Sequence, residues 1–350
     1  RIRLVQLALP HHVYVFDIAR IPIDLLQPVF NTDRLWIFHN AKFDLKFLTS
    51  AGCEWPVRIF DTMLASQVVN AGHRVRHSLK EVVKRELRRS LPKDLQKADW
   101  SGELSSAQLV YAARDAVVLH SLQDVLSAAI SDAGLERASE IEFRCARALA
   151  WMELPGIGMD AEAWCRRADN EAAQLSDLTG ELDARARQLG LNVNWASSVQ
   201  VRRIFDQIRV PVPDVRASTL RQIDHPIASL LVRQKELAKR VSTYGRGMVD
   251  TFFDSGSCRV YPEYFQNGAA TGRMSCGRPN IQQIPKAPGF RTCFRAADGM
   301  ALVKADYSQI ELRLLAHVAN IDTLKEAFLD YYVLLKMLHI LKGVLIHQLH

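Results

Sequence analysis

The sequence lacks several patterns that would assign it to a specialised class of protein. Its six cysteines form no C-x-x-C pair and no zinc spacing, which argues against a disulfide framework and indicates a reducing compartment. There is no internal repeat, no low-complexity tract and no visible secretory signal. The apolar residues 331–350 make a poor membrane span, because Lys336, His339 and Lys342 interrupt them.

The composition predicts a multidomain protein with a polyanionic partner. A chain of 350 residues with 48% hydrophobic content is long enough for two or three domains with buried cores. A formal net charge of +7 favours nucleic acid as the partner. Residues 73–97 hold nine Lys/Arg against three Asp/Glu. They also place Leu79, Val82, Val83 and Leu87 on one helix face, so this basic stretch is either a solvated surface or a DNA track.

The run Leu302–Val318, LVKADYSQIELRLLAHV, carries the strongest signal for chemistry. It predicts a strand that delivers Asp306 into a turn, followed by a helix on which Leu312, Leu315 and Ala316 recur at helical spacing. A carboxylate at such a strand end is a frequent metal ligand, whereas a lone Asp there would be a solvated turn residue.

A second run, ATGRMSCGRPNIQQIP, covers Ala270–Pro285. Gly272 beside Arg273 allows a backbone to approach a duplex closely next to a long guanidinium. Arg273 would donate to the degenerate acceptors of the minor groove, which suits a protein that accepts any sequence. Asn280 and Gln282 would add amide hydrogen bonds.

Together these two runs resemble the family A (DNA polymerase I-like) polymerases, with Gln283 and Cys276 as departures from the usual Asn and Ser. The resemblance implies that Asp306 binds the two magnesium ions of an in-line phosphoryl displacement, since Mg²⁺ prefers oxygen ligands. It also implies that Glu311 excludes ribonucleotides at the sugar 2′ position. Tyr307 and Gln309 would contact the incoming nucleotide, and Arg313 would contact DNA.

The first third of the chain carries a second constellation. Leu35–Leu48, LWIFHNAKFDLKFL, predicts a strand followed by a helix capped by Asn40, with Asp44 in its first turn. Farther on, Tyr111 and Asp115 stand four residues apart, on the same face of a helix.

These runs, together with Phe60–Ser66 and Lys93–Leu109, resemble 3′-5′ exonucleases of the DEDD type with a tyrosine, which also proofread in family A polymerases. The resemblance implies that Asp44 and Asp115 are magnesium ligands and that Tyr111 orients the attacking water. Asn40 would contact the single-stranded DNA 3′ end.

Two elements of the family pattern are absent from the sequence. The Asp-any-Glu motif is expected before RIRLVQLAL, and the nearest acidic residue is Asp17, with Ala19 where a Glu would be needed. Half of the exonuclease metal cage and the middle strand of a ribonuclease H-like sheet are therefore missing, so we expect this module to be inactive and weakened. After Leu324–Phe328 no fingers or second palm motif follows.

The expected fold is α/β and α+β multidomain. Residues 1–135 would form the ribonuclease H-like exonuclease domain. Residues 136–330 would form a partial family A palm and helical thumb, with long helices at 161–189 and 229–244. Lys239 and Arg240 would meet DNA phosphates there. Residues 331–350 would be a divergent tail, amphipathic or disordered.

The predicted function is template-dependent addition of deoxynucleoside triphosphates to primer-template DNA, with a proofreading exonuclease, in a monomeric, bacterial-type cytoplasmic protein. Two alternatives stay open. The chain could be a catalytically inactive DNA-binding remnant of such an enzyme, or a stand-alone 3′-5′ exonuclease acting on RNA, which would leave DYSQIELR unexplained.

Overall fold

The computed structural model describes residues 2–92, 95, 98–285 and 289–329. The predicted tail, residues 331–350, lies outside them, as do Lys93, Asp94, Gln96 and Lys97. The chain divides into two compact units, Arg1–Ala296 and Ala297–His350. No helix in the described ranges is long and apolar enough to cross a membrane.

The first part of the chain alternates strands and helices, as predicted. Its strands are β1 (Leu4–Ala8), β2 (Val13–Asp17), β3 (Leu35–Phe38) and β4 (Arg58–Asp61), and its helices are α1 (Gln27–Phe30), α2 (Ala41–Ser50), α3 (Thr62–Val69), α4 (Leu79–Glu86), α5 (Ser106–Asp132) and α6 (Glu136–Glu153). β1 and β2 form an antiparallel hairpin, whereas β3 and β4 pair in parallel. The two pairs are separate sheets, and no strand of the described residues joins them.

One hydrophobic core joins β3 and β4 to the surrounding helices. Leu45 of α2, Leu64 of α3 and Leu122 of α5 are buried in it. Helix α4 turns Val82 and Val83 inward, which confirms the amphipathic helix predicted from the basic stretch. Helix α6, beyond the expected boundary at residue 135, also contributes to this core. Its Phe143, Ala146 and Ala150 are buried there, so α6 is packed as part of the first module.

The following part contains a small sheet and a helical stem. Its strands are β5 (Ile157–Met159), β6 (Phe253–Asp254), β7 (Arg259–Val260), β8 (Glu263–Phe265), β9 (Ser275–Gly277) and β10 (Phe294–Arg295), and its helices are α7 (Ala161–Gln188), α8 (Ser198–Gln207), α9 (Ala217–Leu220), α10 (Pro226–Tyr244) and α11 (Arg246–Phe252). Short 3₁₀ turns cover Ile23–Leu26, Ile281–Gln283 and Arg291–Cys293.

The strands of this part form two sheets, and local signals mark the starts of its long helices. The antiparallel sheet has the order β10-β5-β7-β6, and β8 pairs with β9 as a separate hairpin. α7 begins after Asp160, whose carboxylate accepts a hydrogen bond from the Ala163 amide at 2.8 Å. α10 begins with Pro226, a residue favoured at the first helical position. The long helices α7 and α10 pack together and confirm the two long helices predicted at 161–189 and 229–244, although α10 begins three residues earlier than predicted.

In the second unit the described helices are α12 (Ile310–Val318) and α13 (Asp322–Leu329), which pack against each other. The helix predicted after Asp306 is confirmed. The strand predicted from Leu302 is wrong for the described residues: residues 301–307 form no strand, and Val303 is 89% exposed. A strand requires a partner for its backbone N–H and C=O groups, and the described part of this unit offers none.

Candidate nucleic-acid and catalytic sites

Asp61, at the end of β4, organises the loop end of the parallel strand pair. Its buried carboxylate accepts four backbone N–H groups: Asn40 at 3.0 Å, Ala41 at 2.7 Å, Met63 at 2.8 Å and Leu64 at 3.2 Å. One side chain thus caps α2 and α3 together. Asn40 occupies the cap position of α2 with φ 71°, but its side chain makes no capping bond, so the predicted Asn40 cap is corrected to Asp61.

The sequence contains a local signal for the Asp61 cap of α3. An Asp directly before the apolar helix beginning at Thr62 is a typical cap signature. What the sequence does not reveal is that the same carboxylate also reaches the start of α2, about twenty residues earlier.

Asp44, a predicted metal ligand, lies in the first turn of α2. Burial, together with the nearby negative charge of Asp61, raises the pKa of Asp44 to about 7. Both oxygens of Asp61 already accept hydrogen bonds from backbone amides, so its carboxylate is fixed in place close to Asp44. The local field therefore favours protonation of Asp44 or a cation beside it.

Tyr111 and Asp115 lie one turn apart on α5, as predicted. The helix begins with a capping box formed by Ser105 and Gln108. Burial raises the pKa of Asp115, and the hydrogen bond from the Tyr111 hydroxyl partly offsets this. Burial and the neighbouring Asp115 carboxylate also raise the pKa of Tyr111. The phenol therefore stays protonated and can act as a hydrogen-bond donor.

The described residues do not fit a two-metal site. Among them no group of three or more His, Cys, Asp or Glu side chains could hold a metal ion. Asp44 and Asp115 are therefore not brought into a cage of the kind that two-metal hydrolysis requires. In the second unit Asp306 is exposed, again without two such neighbours among the described residues.

The hairpin β8–β9 presents the predicted minor-groove run. Its tip is a tight turn in which the Ala269 amide donates to the Arg273 carbonyl at 3.1 Å. Gly272 at this tip has φ +75° and is open on its Cβ side, with Asn267 Oδ1 as the nearest atom at 3.7 Å. The Arg273 side chain is exposed. A backbone or a groove wall can therefore approach this tip closely.

The other two predicted minor-groove residues follow this hairpin directly. Gln282 is exposed in the 3₁₀ turn Ile281–Gln283, whereas Asn280 is half-buried.

The two predicted phosphate contacts on α10 lie in different surroundings. Lys239 is exposed on α10. The guanidinium of Arg240 donates to buried Glu171 of α7 at 3.1 Å, and Arg167 approaches the same carboxylate at 3.5 Å. Arg240 thus stabilises the contact between α7 and α10 in this structure, whereas the Lys239 ammonium is presented to solvent.

In the second unit the remaining predicted residues gather at the start of α12. Tyr307 is 80% exposed and Glu311 is also exposed. Gln309 adopts φ 53° at the cap position. Arg313 donates to the Ser308 carbonyl at 2.9 Å, and its guanidinium lies 4.7 Å from the Phe328 ring centroid.

Comparison with known proteins accounts for both parts of the chain. A family model described as 3′-5′ exonuclease matches residues 1–131, and one described as DNA polymerase family A matches residues 166–332. DNA polymerase I of Aquifex aeolicus is 31% identical over 94% of this chain, and that of Chloroflexus aurantiacus is 30% identical over 87%. The chain spans 59% and 35% of the lengths of these two relatives.

A solved structure, the POL domain of Pol1 from M. smegmatis in complex with DNA primer-template and dNTP, matches the fold. The match covers 90% of this chain and 56% of the solved chain, with a TM-score of 0.72 and 26% sequence identity. The exonuclease region and the polymerase region stand in the same order as predicted. Residues 166–332 therefore match DNA polymerase family A, and a region that matches a 3′-5′ exonuclease precedes them.

Proposed function

We propose that this chain is the primer-template-binding part of a DNA-directed DNA polymerase with a proofreading 3′-5′ exonuclease. The observation that carries the proposal is the fold match over 90% of the chain to a polymerase bound to primer-template and dNTP. The net charge of +7 supports a polyanionic partner. A stand-alone exonuclease would leave the polymerase match at residues 166–332 without a role.

Duplex binding rests on groups with different tasks. Arg273, Asn280 and Gln282 would reach the minor groove from the β8–β9 hairpin and the turn after it, where the degenerate acceptor pattern permits binding to any sequence. Lys239 would meet a phosphate and contribute affinity without sequence information. Arg240 would do so only by exchanging its ion pair with Glu171 for a phosphate.

The catalytic assignments belong to the same proposal. Asp306 would be a polymerase magnesium ligand, with Tyr307, Gln309 and Glu311 at the nucleotide and Arg313 at the DNA. Asp44 and Asp115 would be exonuclease magnesium ligands, with Tyr111 orienting water and Asn40 at a single-stranded 3′ end. Each metal site needs carboxylates in addition to those that the described residues bring together.

We therefore expect the 350-residue chain to bind duplex DNA without changing primer length. The alternative is an enzyme with residual polymerase or exonuclease activity. We also expect a monomer that works in a bacterial-type cytoplasm.

The test incubates the purified chain with a 5′-labelled primer-template, Mg²⁺ and all four deoxynucleoside triphosphates, and sizes the primer on a denaturing gel. Fluorescence anisotropy measures binding of the same duplex in low salt. An unchanged primer with measurable binding supports the proposal for this chain. A longer or shorter primer supports the residual-activity alternative instead, and absence of binding by a folded sample contradicts the proposal.

A further inference from the structure

A buried carboxylate joins the exonuclease helix α2 to the hairpin β8–β9. Glu153 Oε1 lies 2.5 Å from Lys42 Nζ, and Glu153 Oε2 lies 2.7 Å from Lys46 Nζ. The Tyr264 amide donates to Glu153 Oε1 at 2.7 Å, and Lys42 Nζ also donates to the Tyr264 carbonyl. Two lysines of α2 and one backbone unit of β8 thus converge on one side chain at the end of α6.

The position of Glu153 is unfavourable without these partners. It is the last residue of α6, where the helix dipole disfavours a negative charge, and its side chain is only 1% exposed. Burial alone would raise the pKa of Glu153. Hydrogen bonds from Lys42, Lys46 and the Tyr264 amide outweigh burial and lower the pKa below its ordinary value of 4.5. The carboxylate is therefore charged and held at neutral pH.

Both ends of this junction lead to proposed functional groups. Lys42 and Lys46 flank Asp44 on α2, within one turn on either side. On the other side, Tyr264 precedes Phe265, which pairs with Ser275 of β9, and Arg273 lies in the loop between these strands.

Two further contacts reinforce the junction. Lys42 Nζ lies 5.5 Å from the Phe265 ring centroid, and the Gln266 amide donates to the Glu142 carbonyl of α6 at 2.8 Å. Helix α6 therefore holds the hairpin at more than one point along its length.

We propose that Glu153 is a positioning residue that locks the hairpin carrying Arg273 to the helix carrying Asp44, so that the duplex-binding tip and the exonuclease helix move as one body. The functional part of this inference rests on the proposed function, whereas the mechanical part does not. Removing the charge of Glu153 leaves two lysines without their counter-ion, and it loosens α2 and β8–β9 together.

The test measures hydrogen–deuterium exchange of the full 350-residue chain for the wild type and Glu153→Gln. We expect amides in both α2 and β8–β9 to exchange at least about tenfold faster in the variant, because losing one member of a buried ion pair is strongly destabilising. Amides of α10 stay unchanged. The matched control is Glu181→Gln, which removes a carboxylate from an exposed pair with Arg185 on α7 and leaves both segments protected.

Coupling between the segments is tested with Lys42→Met and with the double variant that combines Lys42→Met and Glu153→Gln. If the junction is one unit, the double variant exchanges no faster in β8–β9 than the more affected single variant. Faster exchange in only one segment, or additive effects, would overturn the proposal. Should Glu153→Gln fail to fold, Lys46→Gln, which keeps Lys42 in place, gives the same pattern with a smaller increase in both segments.

Primer-template binding by the same variants separates this inference from the proposed function. Weakened duplex binding by Glu153→Gln, with binding by Glu181→Gln unchanged, supports the functional link. If the wild type does not bind primer-template, the proposed function fails, and the exchange data still decide whether the junction exists. If the wild type binds and Glu153→Gln binds equally well, the functional link is wrong.

Discussion

Replacing Asp61 by Ala removes the acceptor on which the starts of two helices depend. The carboxylate holds the Asn40 and Ala41 amides before α2 and the Met63 and Leu64 amides at the start of α3. Both helices contribute to the core of the exonuclease region. The substitution therefore disturbs two core-forming elements at their first turns, without removing an apolar contact.

The expected loss follows from these bonds. Two helix caps contribute about 1 kcal/mol each, and a buried N–H left without an acceptor costs about 1–3 kcal/mol. The cost of burying the carboxylate, which raises the pKa of Asp61, is relieved in the variant and offsets part of this loss. We expect Asp61→Ala to lower the free energy of unfolding by roughly 3 kcal/mol.

Urea denaturation followed by far-ultraviolet circular dichroism measures the loss at pH 7. Asp61→Asn keeps one carbonyl oxygen as acceptor and places an amide N–H₂ near the Ala41 N–H, so we expect an intermediate loss. The control is Ser197→Ala, which removes the single cap bond of α8, from Gln200 N at 3.4 Å, and should cost about 1 kcal/mol or less. If Asp61→Ala destabilises no more than this control, the double-capping explanation is refuted.

Three further predictions concern single side chains. Asp44 has a folded pKa of about 7 against an ordinary 3.8, so its stability contribution is fully present below pH 3.8 and lost as the pH rises towards 7. The stability of Asp44→Asn relative to the wild type should therefore increase between pH 4 and 7, by at most about 1.4 kcal/mol per pH unit in the free energy of urea unfolding. A stability difference that does not change with pH would contradict this. Arg273→Ala should weaken duplex binding by about 1–3 kcal/mol, whereas Lys239→Ala should reduce the slope of log K against log salt by about 1. Equal, salt-independent losses of affinity for the two variants in anisotropy titrations would contradict this division of roles. Glu171→Gln should destabilise the α7–α10 contact by about 3 kcal/mol in thermal unfolding, because buried Glu171 compensates Arg240, and a change below about 1 kcal/mol would refute this.

Much of the helical structure could be predicted from the sequence because its signals are local. The apolar face of α4 and the long helices at 161–189 and 229–244 are visible in their own residues. The Asp160 cap of α7 and the opening Pro226 of α10 are further signals of this kind, each within a turn of the helix that it starts. The i, i+4 relation of Tyr111 and Asp115 is likewise a property of one helix.

The rest depends on partners far away in sequence. Glu153 reads as an ordinary charged residue at a helix end, yet its lysines lie more than a hundred residues before it and Tyr264 more than a hundred after it. A charge pattern within α6 cannot announce such a junction. For the same reason, the capping role fell to Asp61 although Asn40 stands at the position where a cap is expected.

The two local errors, Asn40 as a cap and Leu302 as the start of a strand, share one physical cause. An amide at the start of a helix and a backbone in a strand both need hydrogen-bond partners. A short stretch of sequence shows which groups need a partner, but it does not show which distant residue provides one. At Asn40 the acceptor is the carboxylate of Asp61 on the neighbouring strand, so the start of α2 is stabilised. Around Leu302 no described strand offers backbone partners, and the residues before Asp306 form no strand and are exposed to solvent. The motif around Asp306 therefore indicates a family relationship without fixing the position of the Asp306 carboxylate. That position depends on strand pairing with residues that the motif does not contain.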